Sequence, residues 1–247
     1  MGGFAAAGDD MLGSLTYKKM KLAALVLAGE FKKMPGENVG VLLPASVGAY
    51  LVIMALLLAK KTPVMMNWTT GPRFLNHMVS LTKTETVISS WRFLERLSNV
   101  DFGQLTEKIK LLEDIKQGIS KKDKILGAWR SFKKTDSLLR TLELTDLSED
   151  KPAVILFTSG SEAEPKGVPL SHKNILLNQR SAMACVAFFA DDVILGCLPP
   201  FHSFGFSVVG LLPILSGIRV VFAPDPTDSF NLARIVQRWN VTVACFA

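Results

Sequence analysis

From about Leu15 the apolar residues fall at helical spacing, with Leu15, Leu22, Leu25, Val26 and Leu27 sharing a face that runs on to Phe31. A Pro35-Gly36 turn breaks this pattern, and the uninterrupted apolar run Val39–Leu43 predicts a strand buried on both faces. Pro44 separates that strand from a helix-like stretch, Ala45–Ala59. Pro63 to Met66 predicts a second strand that ends at Asn67-Trp68-Thr69-Thr70-Gly71. A helix over Arg73–Leu81 and a strand over Thr86–Ser89 continue the alternation. Strands regularly separated by helices predict an α/β fold with a largely parallel sheet flanked by helices.

Trp91 to Asp150 differs in texture: it is charge-rich, mixed in sign and helical in period, a solvated excursion between two α/β parts. The apolar pattern returns with the strand Ala153–Phe157, and Ser171 is placed to cap a helix through about Arg180. Strand Val193–Leu198, helix Phe206–Leu215, strand Arg219–Phe222, helix Phe230–Trp239 and strand Val241–Phe246 complete the chain. Three parts follow: residues 1–90, the charged excursion 91–150, and 151–247. A strand at the very end predicts a truncated domain, incomplete on its C-terminal side.

Between the strand Ala153–Phe157 and Val168 lies Thr158-Ser159-Gly160-Ser161-Glu162-Ala163-Glu164-Pro165-Lys166-Gly167. Small residues, hydroxyls and glycines after a buried strand suit a loop that surrounds phosphate oxygens with N–H groups while a lysine supplies charge. The P-loop pattern G-x-x-x-x-G-K-[ST] fails here. Pro165 stands where that loop needs a glycine donor, and Gly167 leaves no hydroxyl for magnesium. Val168-Pro169-Leu170 reads as extended, so no helix N-terminus faces the phosphates. The plainer reading of the same residues is a Ser/Gly-rich surface turn.

A hydrophobic fraction of 49% excludes disorder. The net charge of +6 comes largely from lysines in small groups, among them Lys18, Lys19 and Lys21, and Lys121, Lys122 and Lys124. Solvated helix faces account for them; docking of an acidic carrier protein or a phospholipid surface is the other reading. No helix-turn-helix or RNA-binding signature appears, so no nucleic-acid partner is expected. Cys185, Cys197 and Cys245 form no C-x-x-C pair and sit among apolar neighbours, which points to a reduced, cytoplasmic setting and inert thiols. Asp9 and Asp10 stand where a signal peptide would carry basic residues. The uncharged stretches Asn38–Ala59 and Val193–Ile218 reach membrane-spanning length, but their internal prolines read as buried strand-plus-helix units.

Two ordered segments give the chain a family resemblance. Thr158 to Gly167 resembles the phosphate loop [ST]-S-G-[ST]-[ST]-G-x-P-K-G of the adenylate-forming (AMP-binding) enzymes. Pro200-Phe201-His202-Ser203-Phe204-Gly205 resembles that superfamily's later aromatic–histidine motif. Met65-Met66-Asn67-Trp68-Thr69-Thr70-Gly71, Leu112-Glu113-Asp114-Ile115-Lys116 and the glutamate after Ser161 are similar to the acyl-ACP synthetase part of bifunctional 2-acylglycerophosphoethanolamine acyltransferases. The resemblance runs from about Leu15 onward and implies the N-terminal part of an adenylating enzyme's large domain.

That resemblance implies ATP-dependent activation of a fatty acid to acyl-AMP, then transfer to the phosphopantetheine thiol of acyl carrier protein or to coenzyme A. ATP and Mg2+ are the implied cofactors. Thr158, Ser159, Gly160, Ser161, Glu162, Lys166 and Gly167 would hold the phosphates, with Lys166 and His202 as catalytic residues. Phe201, His202 and Gly205 would border the acyl substrate, and a metal ligand is not identified. His77 and His172 read as structural.

Ala163 replaces the signature's second glycine and Glu162 its hydroxyl residue, which implies either weaker phosphate binding or a magnesium-positioning role for Glu162. The superfamily's later motifs are not in this segment, so alone it is expected to be inactive. The pattern H-x-x-x-x-D of acyltransferases is also missing. Association with the cytoplasmic face of the inner membrane is implied only through other domains. A long-chain acyl-CoA synthetase and a non-catalytic nucleotide- or acyl-binding protein of the same fold are the alternatives.

Overall fold

A computed structural model describes residues 5–158 and 164–245. The chain opens with a hairpin, β1 (Ala5–Asp9) and β2 (Gly13–Thr16), before α1 (Tyr17–Phe31). Then come β3 (Asn38–Val41), α2 (Val47–Leu58), β4 (Thr62–Met65), α3 (Pro72–Thr82) and β5 (Thr86–Ser89). The charged segment holds α4 (Trp91–Arg96), a 3₁₀ turn at Gly103–Lys108, β6 (Ile109–Leu111), α5 (Leu112–Gly118), α6 (Lys121–Ser131) and α7 (Thr135–Thr141). After it lie β7 (Pro152–Phe157), β8 (Gly167–Ser171), α8 (His172–Cys185) and β9 (Val193–Gly196). A π-helical turn at Gly205–Leu211 leads into α9 (Leu212–Ser216), followed by β10 (Arg219–Phe222), α10 (Ser229–Trp239) and β11 (Val243–Ala244).

The chain divides into two compact units. One, drawn from residues 1–20, 44–51 and 173–247, is built on a sheet whose described strands run β11-β9-β10-β1-β2. All neighbours in it are parallel except the β1–β2 pair. Val193, Leu195, Cys197, Val221, Ala223 and Ile235 pack between this sheet and α10. The other unit, residues 21–43 and 52–172, carries a sheet in the order β6-β5-β3-β4-β7-β8, parallel except for β7–β8. Leu42, Val64, Met66, Leu75, Met78, Val87 and Phe93 form the core between it and α3. The expected α/β class with mostly parallel sheets therefore holds, and no helix of the described residues is long and apolar enough to cross a membrane.

The structure departs from the sequence expectation where tertiary contact overrides composition. Ala5-Ala6-Ala7-Gly8 offers none of the β-branched residues that mark strands, yet it is an inner strand between β10 and β2. Small residues fit there because the α10 indole lies over it, with a Cβ built on Gly8 only 2.6 Å from the Trp239 ring. The helix expected from Leu15 accordingly starts at Tyr17. Within the charged excursion, Ile109–Leu111 is a strand because its backbone completes the sheet edge beside β5. The helix expected over Phe206–Leu215 is a π-helical turn followed by a short α-helix. Cys185 is exposed rather than set among apolar neighbours.

Asp9, placed by sequence among residues that argue against a leader, is a buried structural acid 3% exposed. Its Oδ1 accepts from the N–H groups of Met11 at 2.9 Å and Leu12 at 2.6 Å, closing the β1–β2 turn. Its Oδ2 accepts from Val47 N–H at 3.0 Å, where α2 begins. One carboxylate thus satisfies three otherwise unpaired donors, two of a turn and one of a helix N-terminus. Replacing it strands all three. We expect Asp9→Ala to cost about 3 kcal/mol in urea unfolding and Asp9→Asn less, since one acceptor oxygen survives. A loss below about 0.5 kcal/mol would mean that water replaces the carboxylate.

Candidate functional site

The loop that resembles a phosphate cradle is the connection of a β-hairpin. β7 leaves the parallel sheet beside β4, and β8 returns antiparallel to it with Phe157 opposite Gly167 and Leu156 opposite Val168. The extended reading of Val168–Leu170 is therefore correct, and the loop closes on a strand instead of a helix N-terminus. At the mouth of the hairpin Thr158 N–H donates to the Lys166 carbonyl at 3.1 Å. Lys166 N–H donates back to the Thr158 hydroxyl at 3.2 Å. These two bonds bring Thr158 and Lys166 face to face at the base of the loop, both exposed. Ser159, Gly160, Ser161, Glu162 and Ala163 lie outside the described residues.

Sequence reasoning missed what α3 does for this loop. Asn67 organises the turn before the helix, its Oδ1 accepting from Thr69 N–H at 3.0 Å and from the Thr69 hydroxyl at 2.7 Å. Gly71 then takes φ 81°, a left-handed conformation that glycine adopts without strain, and Pro72 starts α3. Trp68, in the same turn, meets Phe93 edge-to-face at 4.8 Å. One turn apart on α3, Arg73 and His77 reach the returning side of the loop. His77 Nε2 donates to the carbonyl of buried Pro165 at 3.1 Å. Its Nδ1 lies 3.0 Å from the Glu164 carboxylate, and Arg73 stands 3.8 Å from that group's other oxygen. Glu164, the second acid of the loop, is thus turned toward α3.

The aromatic–histidine segment belongs to the other unit. Phe201 is buried, whereas His202 is exposed with its ring 4.5 Å from that of Phe201. Partial desolvation holds the His202 pKa below the ordinary 6.5, so the ring is neutral at neutral pH. The backbone behind it is tightly fixed. His202 N–H donates to the Pro199 carbonyl at 3.1 Å, and Phe206 N–H donates to the His202 carbonyl at 2.8 Å. Gly205 is buried where any Cβ would collide with the carbonyl oxygens of Pro199 and Leu198. Its own carbonyl accepts from the hydroxyl of Tyr50, a fully buried ring stacked on Phe222 at 4.9 Å. Burial drives the Tyr50 pKa upward, so that hydroxyl remains a donor at any working pH. Gln179 of α8 donates to the Ser207 carbonyl at 3.2 Å on the same turn.

Two outcomes follow from this geometry. His77→Ala should cost about 1 kcal/mol of stability, chiefly through the Pro165 carbonyl, because the Glu164 pair is half exposed. Hydrogen exchange at the Lys166 amide should accelerate relative to the amides of β3; unchanged exchange there would show that α3 does not hold the loop. The His202 ring should titrate below 6.5 by NMR. With its folded pKa depressed, its contribution to stability is complete above about 6.5 and lost as pH falls through the folded value. A His202 titration above 6.5 would contradict the desolvation.

The chain is similar to known proteins along part of its length and in its fold. A stretch of 93 residues, 37% of the chain, is 37% identical to 16% of the salicyl-AMP ligase / salicyl-S-ArCP synthetase of Mycobacterium tuberculosis. Another of 89 residues, 36% of the chain, is 38% identical to 16% of the medium-chain fatty-acid–CoA ligase of Escherichia coli. The ATP-bound structure of MatB from Rhodopseudomonas palustris superposes with a TM-score of 0.73 at 20% identity, covering 97% of the chain and 45% of MatB. The chain thus spans less than half of that solved relative, with which it shares the fold. The profile of the AMP-binding enzymes matches residues 5–247, nearly end to end, and the chain belongs to that family.

Proposed function

We propose that the chain supplies the phosphate-holding part of an ATP-dependent acid–thiol ligase that activates a fatty acid as acyl-AMP. The observation that carries the reading is the hairpin mouth, where Thr158 and Lys166 are bonded face to face at the base of a Ser/Gly loop. In the first half-reaction a carboxylate oxygen attacks the α-phosphorus of ATP and pyrophosphate departs. Two anions must meet, so the chain's task is to hold the triphosphate still and offset its charge. Thr158, Ser159, Ser161 and Lys166 are assigned to the β- and γ-phosphates, with Gly160 and Gly167 allowing the backbone to approach. Lys166 supplies the positive charge, its backbone held at the hairpin mouth by the Thr158 pairing. Mg2+ would arrive with the triphosphate, which supplies most of its ligands. Glu162 is assigned to positioning that ion.

In the second half-reaction a thiolate attacks the acyl carbonyl and AMP leaves. Phe201 and Gly205 are assigned to the border of the acyl site and His202, neutral at working pH, to the thiol approach. The acceptor is proposed to be the phosphopantetheine of an acyl carrier protein, on the branch-specific segments Met65–Gly71 and Leu112–Lys116. In the fold, Glu113 of the latter accepts the Trp91 N–H at 3.1 Å. Coenzyme A is the second reading, favoured by the likeness to the fatty-acid–CoA ligase. The whole protein is proposed to work at the cytoplasmic face of the inner membrane.

Lys166→Ala in the complete enzyme should lower fatty-acid-dependent ATP–pyrophosphate exchange by about 100-fold while supplied acyl-AMP is still turned over. Equal loss of both half-reactions would overturn the assignment, and no exchange by the wild-type enzyme with any fatty acid would overturn the ligase reading. Acyl carrier protein and coenzyme A, offered separately to pre-formed acyl-AMP, decide the acceptor.

A further inference from the structure

We infer that α6 and the residues just after it form a docking surface for an anionic phospholipid bilayer. The surface is independent of the adenylation reading, since none of its residues belongs to either proposed half-site. From Lys121 to Lys134 the chain carries six basic side chains, Lys121, Lys122, Lys124, Arg130, Lys133 and Lys134, against the single acid Asp123. Ile125, Trp129 and Phe132 follow at i, i+4 and i+7, so they share one stripe of the helix. Their exposures are 69%, 56% and 82%, far above those of side chains that serve a core.

The opposite face of α6 is the one that holds it to the protein. Gly127 lies so close to Val26 of α1 that a Cβ there would collide with that side chain. Ser120 caps the helix by accepting from Asp123 N–H at 3.1 Å, and Lys33 reaches Asp123 at 3.4 Å. Lys21 of α1 donates to the Lys133 carbonyl at 3.2 Å. On a helix, Gly127 stands roughly 180° from the centre of the Ile125–Trp129–Phe132 stripe. The apolar stripe is therefore presented outward by a helix anchored from behind, and Asp123, the one acid, is on the anchored side.

A bilayer fits this surface better than an acidic protein. Three apolar side chains protrude together from a helix of net positive charge, with Lys121 and Lys122 exposed in its first turn. That is the form of an interfacial helix, whose apolar face enters the headgroup–acyl boundary while lysines meet anionic lipid. The Lys133 ammonium sits 4.0 Å from the centre of the Trp129 ring, which puts cation and indole at one level, as at a membrane interface. A protein partner recognised by charge alone would gain nothing from Phe132, the most exposed of the three.

Sedimentation of the complete protein with vesicles tests this. Vesicles of phosphatidylglycerol and phosphatidylethanolamine should carry the protein down at low salt, pure phosphatidylcholine much less, and added salt should release it. Ile125→Ser/Trp129→Ser/Phe132→Ser and Lys121→Glu/Lys122→Glu should each lower anionic-vesicle partition at least tenfold, with unchanged circular dichroism and thermal midpoint. Brominated acyl chains should also quench wild-type fluorescence, and Trp129→Phe should abolish that quenching, a readout that survives if the triple variant does not fold. The proposal is overturned if wild type ignores anionic vesicles, if the variants bind as wild type does, or if quenching persists without Trp129. It is equally overturned if these residues prove to bind a soluble acidic protein and not vesicles.

Discussion

The antiparallel return of β8 onto β7 is the constraint on which the candidate phosphate site depends. β7 sits at the edge of five parallel strands, and a parallel continuation would need a crossover of a dozen or more residues. The chain instead turns back at once, so the loop is short and both its ends are tied to one ladder. Pairing Phe157 with Gly167 places Thr158 and Lys166 opposite each other, where one backbone bond continues the ladder and the Thr158 hydroxyl accepts the Lys166 N–H. Proline at 165 is compatible with this because the N–H it lacks is not one the hairpin mouth uses. Its carbonyl is the group that matters, since it accepts from His77.

A different device fixes the aromatic–histidine turn in the other unit. A π-helical turn has weaker backbone geometry than an α-helix, so its conformation depends on what surrounds it. Here that role falls to side chains. Tyr50 and Gln179 donate to the carbonyls of Gly205 and Ser207, and the Ser207 hydroxyl donates to the Ser203 carbonyl at 2.7 Å. A buried, uncharged phenol stays a donor throughout the working pH range. His202 is carried on this fixed backbone while its ring remains exposed, which joins a rigid position to access.

Much of this was legible in the sequence. The alternating apolar runs identified the buried strands and their helices because parallel strands covered on both faces leave continuous apolar signals, as in Val39–Val41 and Val193–Gly196. The loop's return as a strand was legible from Val168-Pro169-Leu170. What was not legible depends on partners distant in sequence. Ala5–Asp9 has no strand signal of its own and is a strand because β10 pairs with it. Asp9 looks like a surface acid until Val47 is brought to it. His77 reads as one more polar helical residue, and only the fold shows that its ring spans the 88 residues to Pro165. The one local hint was the Asn67–Gly71 turn, whose Asx geometry fixes where α3 begins and so which of its residues face the loop.

The contacts from α3 also change what the loop's departures from the family pattern mean. Two glutamates in a phosphate loop would each repel a triphosphate if both faced it, and at short range in a partly dry site that repulsion would be substantial. Glu164 is turned toward α3. Its two oxygens are met by His77 at 3.0 Å and by Arg73 at 3.8 Å, on the side of the loop that packs toward α3. Exposed pairs of this kind contribute little energy, and their consequence lies in direction more than in strength. The helix α3 thus takes both the acid of residue 164 and the Pro165 carbonyl to its own side, one residue before the Lys166 backbone enters the hairpin mouth.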